Sequence, residues 1–169
     1  MKRWVATLVD HVETFHILAE IAIAIAGFAG VASVFGGREK QYREAELLRI
    51  RGLFELSALV LIGCFGISVV QAAGMSKPLA ISFISLVLIV AYAIVVLDVP
   101  LKAIKLYRKR DSTVTAGALI TAFSVYVIGL PLLVANMFVL RQEWPLILVM
   151  SLSILQSIWS FYRLVTREN

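Results

Sequence analysis

Five apolar runs, at about residues 16–36, 53–73, 79–98, 116–140 and 145–162, decide what this chain can fold into. Each is close to the roughly 20 residues that cross the hydrocarbon of a bilayer as a helix. Together they take up about two thirds of the 169 residues. The polar segments between them run to about 12 to 16 residues, well short of the roughly 50 of the smallest independent domain. A hydrophobic share of 60% and a mean hydropathy of +0.91 stand far above the soluble norm of about 45–50% apolar residues. The expectation is an all-α integral membrane protein: one membrane domain over residues 1–169, built as a bundle of five transmembrane helices, with no separate soluble catalytic domain.

Basic residues set the expected orientation. The segments between spans one and two (Arg38, Lys40, Arg43, Arg49, Arg51) and between spans three and four (Lys102, Lys105, Arg108, Lys109, Arg110) fall on one side, with Arg163 and Arg167 at the end. The opposite side has Lys2, Arg3, Lys77 and Arg141, so the balance is twelve against four. Lys and Arg accumulate on the cytoplasmic side, which puts the N-terminus out and the C-terminus in.

Span one carries a carboxylate inside its apolar run. Glu13, His16 and Glu20 lie within roughly 60° of one another on a helix, and Ala24, Gly27 and Val31 continue that face. Measured from the cytoplasmic edge near Gly37 and Arg51, Glu20 is roughly 25 Å deep and Glu55 roughly 6 Å, so the two cannot pair within one chain. Glu20 shares its outer level with Gln71, Asn136 and the Ser82 region, while Glu55, Asp98, Lys102 and Gln156 form an inner level. An intramembrane carboxylate marks a candidate functional site because ionising it there is costly without a partner or water. Glu13, His16, Glu20, Gln71 and Asn136 are therefore the candidate proton or ion residues, and Glu55, Asp98 and Gln156 are the inner polar residues. Against this stands the plain alternative that His16 and Glu20 are simply wetted by the outer headgroups.

Small residues predict where helices touch. Ala22, Ala26 and Gly30 repeat on one face of span one, and Ala122 and Gly129 do so in span four; such stripes let backbones approach closely in lipid, and these two are expected to join copies of the chain. Span two sets Ser57, Cys64, Ser68 and Gln71 on one face, span three Ser82, Ser85 and Tyr92, and span five Ser153, Gln156, Ser157 and Ser160. These stripes read first as interhelical hydrogen bonding. Arg51 precedes Glu55 by four residues, the spacing of a helical ion pair.

The ends and breaks of the spans carry further expectations. Residues 4–15 are amphipathic and predict an outer-surface helix, Gly36 and Gly37 predict the end of span one, and the segment after them predicts a helix leading into span two. Pro100 predicts a new helix start capped by Asp98 or Val99. The basic segment from Pro100 to Arg110 then predicts a helix against anionic lipid, with Lys102, Lys105, Arg108, Lys109 and Arg110 touching headgroups. Membrane orientation accounts for that charge without nucleic acid. Pro131 predicts a kink in span four. Trp144, Trp159 and Tyr162 fit interfacial belts.

Cys64 has no intrachain disulfide partner and no neighbouring metal ligands, and the acidic Asp10 and Glu13 interrupt what would be the apolar core of a cleavable signal. No metal or cofactor is implied. No HExxH motif, paired-aspartate site or nucleophile–base pair stands in the spans, which argues against an intramembrane enzyme.

The stretch from Ala19-Glu20-Ile21-Ala22 through Ile25-Ala26-Gly27-Phe28-Ala29-Gly30 resembles the first span of a group of small uncharacterised bacterial inner-membrane proteins that open with AEI-x-IAGF-x-G. The likeness extends to Arg49-Ile50-Arg51-Gly52-Leu53 and more loosely to Phe161-Tyr162-Arg163-Leu164, about a third of the chain. The middle spans match in hydrophobicity alone. The resemblance implies a bacterial inner-membrane setting and brings no activity with it.

Together these features lead to a non-enzymatic homo-oligomer in the membrane, acting by ion conduction or membrane perturbation. Its expected partners are the lipid bilayer, anionic headgroups and other copies of itself. The alternatives are an accessory subunit of a larger membrane complex and a proton-coupled carrier using Glu20 and His16, although carrier folds usually show repeats and broken helices that are not evident here.

Overall fold

The computed structural model describes residues 11–39, 44–108 and 116–166. The described residues form five α-helices and one π-helical turn: α1 (His11–Glu39), α2 (Glu44–Ala72), α3 (Lys77–Arg108), α4 (Ala116–Ala135), the turn Asn136–Leu140, and α5 (Glu143–Val165). Five helices contain segments long and apolar enough to cross a membrane: Glu13–Val34, Glu46–Ala72, Lys77–Val95, Phe123–Leu140 and Glu143–Val165. The all-helical membrane architecture expected from the apolar runs is thus present, with boundaries shifted by several residues.

α2 is the organising helix, packing on α1, α3 and α5, while α4 lies against α3 and α5. Its glycines explain how it reaches three neighbours. A Cβ at Gly63 would lie 2.7 Å from the Met150 sulfur of α5, and one at Gly66 would lie 2.8 Å from Ile84 Cδ1 of α3. In lipid, helix association depends on such close packing because no water is released from apolar surface. The core continues through Leu59, Val60, Ile81, Leu88, Leu146 and Val149, all buried. Cys64 is part of it, donating to the Met150 sulfur at 3.6 Å.

Three boundary expectations are corrected. α1 is a single helix from His11 to Glu39, so Gly36 and Gly37 do not end it. Two glycines cost roughly 1 kcal/mol each relative to alanine, too little to break a long helix. Residues 4–10 of the expected surface helix lie outside the described residues, and the remainder belongs to α1, with Phe15 buried in the core. α3 likewise runs unbroken through Pro100, so no new helix or cap begins there. Proline removes one backbone donor, and the carbonyl it frees lies near the end of the span, where headgroup water can take its place. The basic segment is therefore an extension of span three rather than a separate surface helix. Pro131 does stand inside α4.

α4 and α5 form a hairpin whose connection is Arg141 and Gln142. The Arg141 N–H reaches back five residues to the Asn136 carbonyl at 3.0 Å, closing the π turn. Arg141 itself is left-handed, with φ 50° and ψ 42°, a conformation that costs a non-glycine residue about 1–2 kcal/mol. The bonds gathered around Asn136 hold it in place.

Candidate functional site

Polar side chains inside the bundle fall into two levels. At the end nearest the α4–α5 hairpin, Asn136 is fully buried and satisfied on both sides of its amide. Its Nδ2 donates to Ser85 Oγ at 3.1 Å, and its Oδ1 accepts from the Gln142 N–H at 3.0 Å. Beside it Ser82 Oγ donates to the Met137 carbonyl at 3.0 Å, a carbonyl in the widened π turn. Lys77 at the start of α3 pairs with the buried Glu143 at the start of α5 at 2.9 Å. The Trp144 indole donates to Gln142 Oε1 at 2.8 Å. One end of α3 is thereby strapped to the hairpin at three heights. Asn136 thus bonds to Ser85 and to the backbone of the turn.

About two helical turns further along α3, the Tyr92 hydroxyl bonds to Ser153 Oγ in the core. Ser153 also donates to the Val149 carbonyl at 2.8 Å, and Ser157 to the Ser153 carbonyl at 2.9 Å. Tyr126 of α4 meets the Tyr92 ring edge-on, with centroids 5.9 Å apart. These contacts use the serine and tyrosine stripes expected on spans three and five. They are neutral, and they fasten helices without offering a charge or an ion cage.

Glu55 pairs with Arg51, Nε to Oε1 at 2.6 Å, as the spacing predicts. Its second oxygen, Oε2, is buried with no hydrogen-bond partner among the described residues, as is the Ser57 hydroxyl two residues on. Gln156 donates to Ser160 at 3.5 Å, and Gln71 is half-buried. The side chains of Asp98 and Ala122 lie outside the described residues, as do Lys109 and Arg110 entirely. Among the described residues no group of three His, Cys, Asp or Glu could hold a metal ion.

The acid–imidazole–acid stripe of α1 has a different environment. Glu13, His16 and Glu20 are all exposed, as are Ala24, Gly27 and Val31 on the same face. Nothing lies within 4 Å of the position a Cβ would take on Gly27. The Ala22–Ala26–Gly30 face points the other way. Ala22 is fully buried, and a Cβ at Gly30 would meet Phe54 Cζ of α2 at 3.7 Å. The small residues expected to join separate copies therefore pack inside one chain, because the bundle needs its closest approaches where α1 meets its own neighbours. Gly129 similarly serves α4–α5 packing, its Cβ position lying 3.4 Å from Val149 Cγ1.

Reading the sequence did not single out Gly63 or the Lys77–Glu143 pair. Glycines at 63 and 66 among bulky residues were the available signal for the first, and a Lys just before an apolar run opposite a Glu just before another was the signal for the second. Comparison with protein families, with curated proteins and with solved structures finds no match to the chain.

Proposed function

We propose that the chain is a non-enzymatic subunit of a membrane homo-oligomer, set in a bacterial inner membrane with its N-terminus out and C-terminus in, and that copies meet along the outer face of α1. The observation that carries this reading is the exposure of Glu20 seven residues inside the span Glu13–Val34, about 10 Å from its start. A carboxylate facing hydrocarbon costs several kcal/mol, and such residues ordinarily face protein or water. Ala24 and Gly27 beside it supply the flat surface on which a second helix can approach. α1 is also the span with most surface left over: 22% of its apolar window is buried, against 44% for α2.

Bringing these faces together would gather Glu20 and His16 from several copies along one axis, forming a polar path for protons or small ions. A single-chain carrier has less support, since its coupling residues belong between helices near the midplane, and these open outward. Two measurements test the proposal. Wild-type particles in mild detergent should contain more than one copy, and Gly27→Leu should reduce them to single chains. Glu20→Gln should keep the particle but abolish proton flux in liposomes. Single-copy wild-type particles would overturn the homo-oligomer and favour an accessory subunit whose other partner covers Glu20; flux unchanged by Glu20→Gln would remove conduction.

A further inference from the structure

We infer that the basic end of α3 and the first turn of α2 form a site for the phosphate headgroup of an anionic phospholipid. A cavity of about 280 Å³ opens there, lined by Glu44, Lys102, Lys105, Leu106 and Arg108. That is near the lower end of the roughly 300–1,000 Å³ of small-molecule sites. Lys102 has a further interaction of its own, so the positive balance of the lining rests on Lys105 and Arg108 against Glu44. The three-residue spacing of Lys102, Lys105 and Arg108 keeps them within about 120° of the helix circumference, and the buried Leu106 lines the cavity beside them.

Position argues for a lipid rather than a soluble anion. Lys102 and Arg108 follow Lys77 along one continuous helix and so lie about 38 and 46 Å from it along the axis. The apolar run ends at about residue 98, so Lys102 and Lys105 lie about 6 and 10 Å past it along the helix; headgroups fill about 5–8 Å on each side of roughly 30 Å of hydrocarbon, and the long side chains span the difference. Leu101 and Tyr107, both more than 40% exposed on the same helix end, offer apolar surface beside it for acyl chains. Glu44, the carboxylate among the described lining residues, opposes an anionic headgroup, which makes the proposal testable by a gain as well as a loss.

The test uses the full chain in mild detergent, with retained lipid counted by native mass spectrometry after adding phosphatidylglycerol, phosphatidylcholine or inorganic phosphate. Phosphatidylglycerol should be retained and phosphatidylcholine should not. Glu44→Gln should strengthen retention about fivefold, and Lys105→Gln with Arg108→Gln should weaken it about 25-fold, taking about fivefold per charge near the surface. Millimolar phosphate should not displace the lipid. Equal retention of both lipids, unchanged binding in Glu44→Gln, or displacement by phosphate would each overturn the lipid site. Should the double variant fail to fold, Glu44→Gln alone decides the matter.

Discussion

Asn136 of the π turn donates its side-chain amide to Ser85 of α3 at 3.1 Å, and the same amide's oxygen receives the Gln142 N–H across the hairpin at 3.0 Å. One buried residue thus joins two spans and fixes the turn between α4 and α5. Asn136→Leu removes both bonds and leaves the Gln142 N–H without this acceptor. A thermal melt in detergent should show a loss of about 1–3 kcal/mol. Ser85→Ala should cost less, since the amide oxygen keeps its bond.

Gly63 sets the distance between α2 and α5. Gly63→Ala displaces the flexible end of Met150, 2.7 Å from the new Cβ, and should be tolerated with a small drop in melting temperature. Gly63→Leu cannot be accommodated by moving one methionine. Overpacking typically costs about 1–3 kcal/mol or more, so its detergent melt should fall well below that of the alanine variant.

The proposed topology rests on the uneven basic residues. Reporter fusions at Lys77 and Arg141 should read extracytoplasmic, and fusions at Arg43 and Arg110 cytoplasmic. The reverse pattern would invert the assignment of sides while leaving the helix packing untouched.

The spans were legible because about 20 consecutive apolar residues have one economical solution in a bilayer, and their polar faces were legible because serine, tyrosine and asparagine at helical spacing turn inward together. Ser85, Tyr92, Ser153 and Asn136 duly lie in the core. Local breakers misled. Gly36, Gly37 and Pro100 each carry a penalty of a few kcal/mol or less, which the surrounding helix absorbs, so α1 and α3 are longer than their punctuation suggests. The direction of a small-residue stripe was also hidden. Ala22–Ala26–Gly30 and Ala24–Gly27 both permit close approach, and only packing within the bundle assigns the first to the chain's own core and leaves the second exposed.

The proposed meeting of copies along the outer face of α1 is open to cysteine cross-linking in native membranes. The native Cys64 is buried, so Gly27→Cys presents a single reactive thiol on the exposed face. Under mild oxidation Gly27→Cys should give a covalent dimer, while Ala22→Cys, whose position is fully buried, should give none. A Gly27→Cys protein that stays monomeric in the membrane under oxidation that cross-links a known neighbouring pair would mean that copies do not meet along this face.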